Sequence, residues 1–171
     1  LQKESTPKDN MRYLLIDRIE KLVIGKEILA IKNVALSEDF FSDHFVGQPV
    51  MPGALLIESL AQAGTALLEV SSKFKSKALL VIIEQAKFRS IVKPGDQLLI
   101  QAKVISSYKS AAKMDGKILV KDRMVMNAAI TFSLKDAEEF YPPKTRHLME
   151  SVYDNWLQGA EIIESSNETE N

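Results

Sequence analysis

His44-Phe45-Val46-Gly47-Gln48-Pro49-Val50-Met51-Pro52-Gly53-Ala54-Leu55-Leu56-Ile57-Glu58-Ser59-Leu60-Ala61-Gln62 is the stretch on which the fold turns. Its first half carries Gly47, Pro49, Pro52 and Gly53, which rule out regular structure and make a shaped loop. Pro52 stands where the first turn of a helix tolerates proline. A helix then runs over roughly 53–72. Ala54, Leu55, Leu56, Ile57, Leu60, Ala61, Ala63, Ala66, Leu67, Leu68 and Val70 leave it no wide polar face, so it has to be surrounded by protein. Its polar residues Glu58, Gln62, Thr65 and Glu69 fall at i, i+4, i+7 and i+11, one narrow stripe. The same window is long enough to span a bilayer, but Glu58 and Glu69 would be costly near its middle. It therefore reads as a buried core helix, with no membrane insertion.

Around this helix the sequence reads as strands. Met11 to Val34 alternates apolar and charged residues on both sides of Ile24-Gly25-Lys26-Glu27, an antiparallel hairpin. Lys77 to Phe88 is an almost continuous apolar run, and Pro94-Gly95-Asp96 is a turn. Gln97 to Tyr108 places Leu98, Ile100, Ala102 and Val104 on one face. Asp115-Gly116 reads as a turn into Lys117 to Leu134, where Met124, Met126, Ala128, Ile130, Phe132 and Leu134 alternate with a second set. A helix apolar all round, in a chain otherwise made mostly of strands, must be wrapped by the sheet, an α+β architecture.

This unit spans 11–136, after a polar segment 1–10 that reads as a disordered tail or a remnant. Beyond Pro142-Pro143, residues 145–158 place Leu148, Met149, Val152 and Trp156 at helical spacing. The extension 137–160 is expected to dock on its own sheet, and the acidic segment 161–171 to be disordered.

Composition narrows the function. With 46% hydrophobic and 26% charged residues the 171-residue chain is ordinary for a globular domain with a real core. A net charge of -1 gives no field that would favour nucleic acid. The absence of cysteine excludes disulfides, thiolate metal sites and a cysteine nucleophile, and fits a reducing, cytoplasmic setting. Two histidines far apart, His44 and His147, argue against a histidine-rich metal site.

One of those two histidines stands on the shaped loop. A neutral imidazole there can accept a proton. Glu58, in the second turn of the greasy helix, sits where desolvation favours the neutral acid and so a proton donor. The helix start at Gly53 offers unpaired N–H groups and partial positive charge, and glycine lets a ligand carbonyl approach. Base, acid and carbonyl clamp match proton abstraction next to a carbonyl followed by loss of a β-hydroxyl. Gln62, one turn beyond Glu58, reads as an orienting partner rather than a reactant.

The segment from His44 to Gln62 resembles the signature of the FabZ-type 3-hydroxyacyl-[acyl-carrier-protein] dehydratases. Tyr13 to Arg18 is similar to that family's opening strand, and Gly25-Lys26 to Ile31-Lys32-Asn33-Val34 to its second. Ala86 to Arg89 and Val92 to Asp96 resemble a later strand and turn, so the likeness covers roughly 11–135. It implies a hotdog fold, a curved antiparallel sheet wrapped around a long helix, in a homodimer with shared active sites, commonly a trimer of dimers. It implies that His44 of one subunit takes the α-proton of a 3-hydroxyacyl thioester and Glu58 of the other protonates the departing hydroxyl. The Gly53 N–H would polarise the thioester carbonyl and the Val50 carbonyl fix the His44 tautomer, with no cofactor. The related FabA-type dehydratase/isomerases carry aspartate at the glutamate position, so Glu58 argues for plain dehydration. The partner implied is an acidic acyl carrier protein, received by Lys87, Arg89 and Lys93. Three departures stand out: Asp43 where the family usually has glycine, Val46 where it usually has proline, and the segment appended after about residue 136, near which family members typically end. A hotdog thioesterase and a non-catalytic acyl-carrier-binding subunit are the alternatives.

Overall fold

The computed structural model describes residues 13–42, 44–45, 47–142 and 146–165. The expectations for 1–12 and 166–171, and both departures at Asp43 and Val46, lie outside these residues. Strands β1 (Arg18–Val23) and β2 (Glu27–Asn33) form the expected hairpin, closed by Gly25 at φ 70°, a left-handed conformation that costs glycine nothing. A 3-10 turn, Asp39–Phe41, leads to the loop holding His44. Helix α1 (Gly53–Ser71) follows, then β3 (Ser76–Phe88), β4 (Gln97–Ser107), β5 (Ala111–Val120) and β6 (Arg123–Asp136). Helices α2 (Ala137–Phe140) and α3 (Arg146–Leu157) and the short strand β7 (Glu161–Ile163) come after β6. The sheet order is β3-β6-β5-β4-β2-β1-β7, antiparallel throughout except for the parallel β1–β7 pair.

The alternation expected for the strands sets which face meets α1. Ile28 and Ala30 of β2, Leu98, Ile100 and Ala102 of β4, Met114 and Ile118 of β5, and Ile130 and Phe132 of β6 are buried in one core with Leu56, Leu60, Ala63 and Leu67 of α1. Among the described residues, the sheet covers α1 from one side: Ile57, Glu58, Gln62 and Thr65 stay half-buried and Ala54 exposed, so this part of one protomer leaves a face of the helix partly open. Although α1 has the length and composition of a membrane span, 56% of its most apolar window lies buried inside the fold, as in a core helix.

Two readings of the sequence are corrected. Asp115-Gly116 is not a turn: both residues lie inside β5, paired with Lys103 and Ala102 on one side and Ala129 and Ala128 on the other. Glycine is needed there for close packing, since a Cβ at 116 would fall 2.3 Å from Leu60 Cδ1 of α1. The reversal between β5 and β6 is made instead by Lys121 and Asp122, at φ 47° and 65°. The second correction concerns the acidic tail. Residues 161–163 form β7, with Lys21, Leu22 and Val23 opposite Glu161, Ile162 and Ile163, because β1 otherwise leaves a sheet edge unpaired. Gly159 at φ 78° turns the chain out of α3 toward that edge.

The extension docks as expected, and it brings a polar contact that helical spacing did not show. Tyr153 and Trp156 of α3 are buried in the core cluster. The Tyr153 hydroxyl donates to Glu69 Oε2 at 2.6 Å, and the other Glu69 oxygen meets Lys77 Nζ at 2.8 Å and the Ala78 N–H at 3.1 Å. Glu69, 3% exposed, is thus a buried carboxylate with both oxygens bonded. Burial alone would lower the Lys77 ammonium, but Glu69 outweighs it and holds the group above its ordinary range. Burial, reinforced by the Glu69 charge, pushes the Tyr153 hydroxyl strongly upward.

Candidate active site

The loop that carries His44 is closed on itself. His44 N–H donates to Phe40 O at 3.2 Å, and the Val50 N–H donates to His44 O at 2.9 Å. The His44 Nδ1 lies 2.8 Å from Val50 O. A carbonyl can only accept, so Nδ1 carries the proton and Nε2 of the neutral ring is left as the acceptor. One residue later the loop is pinned to the segment between β3 and β4, the Met51 N–H donating to Val92 O at 2.9 Å.

Pro52 caps α1 with extended backbone angles and Gly53 is its first residue. By position the Gly53 N–H has no acceptor within the helix. The Phe88 ring at the end of β3 packs against this glycine, and an added Cβ would lie 3.0 Å from Phe88 Cε1. A side chain at 53 would therefore press on the Phe88 ring, which is 51% exposed and would have to give by a few tenths of an ångström.

Glu58, half-buried in the second turn, accepts a hydrogen bond from Gln62 Nε2 at 2.9 Å. The Gln62 amide is itself held by backbone: Nε2 also donates to Tyr13 O at 2.9 Å, and Oε1 accepts from the Leu15 N–H at 2.8 Å. Those two contacts fix which end of the amide faces Glu58. The segment 13–15, ahead of β1, is therefore part of the site. Sequence patterning missed it because its contribution is main-chain N–H and C=O, which every residue carries. Among the described residues, no hydrogen bond or ion pair joins His44 to Glu58 within the protomer.

Arg89 donates from Nε and Nη2 to Asn127 Oδ1 at 3.2 and 3.1 Å. Lys87 and Lys93 are exposed, the Lys93 N–H donating to Asp96 Oδ2 at 2.9 Å. In sequence these three flank Phe88, whose ring packs on Gly53, and Val92, whose carbonyl accepts from the Met51 N–H. Among the described residues no three His, Asp or Glu side chains converge closely enough to hold a metal ion.

A seven-stranded sheet curved over one apolar helix, with an imidazole loop at the helix start and a carboxyl one turn in, defines a hotdog-fold protein of the dehydratase type. The FabA-like domain matches residues 6–129, and the chain belongs to that family. It is 44% identical over 120 residues to the 3-hydroxyacyl-[acyl-carrier-protein] dehydratase FabZ of Pediococcus pentosaceus, covering 70% of this chain and 80% of that protein. To the FabZ of Koribacter versatilis it is likewise 44% identical, over 69% of this chain and 77% of that protein. The dehydratase heterocomplex ApeI:P from Xenorhabdus doucetiae superposes with a TM-score of 0.59 at 15% identity, over 83% of this chain and 91% of that one. A hypothetical thioesterase from Streptococcus pneumoniae with coenzyme A gives 0.54 at 17% identity, over 70% and 85%. At such identities the two structures establish the fold alone.

Proposed function

We propose that this protein removes water from (3R)-3-hydroxyacyl-[acyl-carrier-protein], giving the trans-2-enoyl thioester in fatty-acid-type biosynthesis. The relatives' shared name supports the substrate, and the His44 Nδ1 to Val50 O bond is the observation that carries the mechanism. His44 Nε2 takes the proton from C2 while the Gly53 N–H stabilises negative charge on the thioester oxygen. The C3–O bond breaks, Glu58 protonates the leaving hydroxyl, and water departs. The imidazolium then returns its proton, through solvent, to the Glu58 carboxylate. Gln62 orients Glu58 throughout, and the chemistry calls for no cofactor. Glutamate rather than aspartate at 58 supports dehydration without isomerisation.

The edge of the sheet supports a homodimer. Val81, Ile82 and Ile83 of β3 are 56, 51 and 48% exposed, and among the described residues no strand pairs with the outer edge of β3. A second copy bonded edge to edge would cover this apolar run and bring the missing wall to the half-covered face of α1. His44 and Glu58, unconnected within one protomer, then meet across the interface, and three such dimers assemble as a hexamer. Lys87, Arg89 and Lys93 receive the acidic carrier protein, and the protein works in the cytoplasm.

The test is hydration of a trans-2-enoyl thioester, on carrier protein and on coenzyme A, by the native protein and by His44→Ala and Glu58→Ala. Turnover is lost in both variants while the oligomer elutes unchanged. Retained turnover in either overturns the assigned roles. Release of free thiol would identify a thioesterase, and tight acyl-carrier binding without hydration a non-catalytic subunit.

A further inference from the structure

Lys32 is a buried cation outside the reacting groups, and its two anionic partners lie on the two arms of the site. Its residue is 7% exposed, on β2. The ammonium meets Glu38 Oε1 at 2.7 Å and Asp17 Oδ1 at 3.3 Å. Burial alone would lower this ammonium, but the Glu38 and Asp17 partners reverse the effect, so it stays protonated.

Each carboxylate belongs to a connected run of bonds. On one side, Asp17 ends the segment whose Tyr13 carbonyl and Leu15 N–H hold Gln62, and Gln62 holds Glu58. Asp17 is further secured by the Asn33 N–H at 2.6 Å and by its own N–H to Ile31 O at 2.8 Å. On the other side, Glu38 starts the 3-10 turn, its carbonyl accepting from the Phe41 N–H at 3.1 Å. The Phe40 carbonyl of that turn accepts from the His44 N–H. Two loops with no hydrogen bond to each other among the described residues are thus tied to one charge.

We infer that Lys32 is a positioning residue for both catalytic groups, setting the Glu58 arm through Asp17 and the His44 arm through Glu38. The inference rests on the dehydratase reading above. Without the ammonium, the half-buried Glu38 carboxylate loses its 2.7 Å ion-pair partner and the exposed Asp17 carboxylate keeps its Asn33 contacts alone, so the charge that ties the two arms together is gone and both relax. Displacements of that kind, remote from the chemistry, lower turnover without weakening substrate contacts.

The test compares Lys32→Met, Asp17→Asn and Glu38→Gln in the intact protein. It uses enoyl-thioester hydration and 15N NMR of the two histidine rings, with His147→Gln identifying the His44 signals. Lys32→Met is expected to lower kcat by about a hundredfold with KM within about twofold. Glu38→Gln shifts the His44 ring signals, and Asp17→Asn leaves them in place while still lowering kcat. Native kcat in Lys32→Met, or unmoved His44 signals in Glu38→Gln, overturns the inference. So does a uniform drop in thermal midpoint with kcat and KM impaired together, which marks a merely structural ion pair. A native protein that hydrates no enoyl thioester refutes the function proposed above, and the His44 signals alone then decide the role of Lys32.

Discussion

Gly116→Ala tests the packing that sets the height of α1 above the sheet. The added methyl would stand 2.3, 2.6 and 2.9 Å from Leu60 Cδ1, Cδ2 and Cγ, all well inside van der Waals contact. A leucine end can normally swing aside, but Leu60 is 0% exposed, so its rotamers are limited by neighbours that cannot yield either. Overpacking of this kind costs about 1–3 kcal/mol, and three simultaneous overlaps place Gly116→Ala at about 2 or above. At roughly 2–4 °C per kcal/mol for a domain of this size, the thermal midpoint falls by about 4–8 °C. Leu60→Ala alone removes buried methyls and costs about 2–5 kcal/mol. In the double variant the new methyl occupies space that Leu60 vacated, so the combined cost falls short of the sum by about 1–3 kcal/mol. Urea denaturation of the four proteins gives that coupling directly. Since Leu60 lies two residues beyond Glu58, Gly116→Ala also lowers turnover and Leu60→Ala partly restores it. Additive costs, or a Gly116→Ala variant as stable as the native protein, would refute the claim that this glycine sets the helix-to-sheet distance.

Two further outcomes follow from other parts of the molecule. Burial and Glu69 raise Tyr153, burial also raises Tyr141, and partner carboxylates raise Lys77 and Lys32 despite burial, from ordinary values of 10.0 for tyrosine and 10.5 for lysine. In each case the unfolded chain releases its proton first, so this stability is complete below about pH 10 and declines as the pH rises further. Urea midpoints at about pH 8 and 11 measure the decline, and Tyr153→Phe makes it shallower while costing about 1.5–3 kcal/mol at the lower pH. At the sheet edge, Val81→Lys with Ile83→Lys places two charges on the exposed apolar run of β3. Size-exclusion chromatography is expected to show a smaller species with no hydration activity, and an unchanged, active oligomer would remove β3 from the interface.

The elements that rest on local physics could be read from residue order alone. Helix α1 was legible because its apolar residues go all the way round, and β4 and β6 because their apolar residues alternate. The loop was legible because Gly47, Pro49, Pro52 and Gly53 permit little else. His44 and Glu58 stood out as ionisable groups in apolar or turn-forming surroundings, and the spacing from Glu58 to Gln62 already announced their hydrogen bond.

Whatever depends on a neighbour distant in the chain emerged with the folded arrangement. Asp115-Gly116 carries the chemistry of a turn, yet two flanking strands and Leu60 hold it flat, because ladder hydrogen bonds and helix contact outweigh a local preference. Ile162 and Ile163 sit in an acidic, polar tail and become a strand only because β1 offers an open edge. Glu69 reads as one member of a polar stripe and becomes a buried anchor because Tyr153, 84 residues away, closes on it. The coupling of Lys32 to both arms of the site is of the same kind, since Asp17, Lys32 and Glu38 acquire a shared role only when a hairpin and a loop fold against one another.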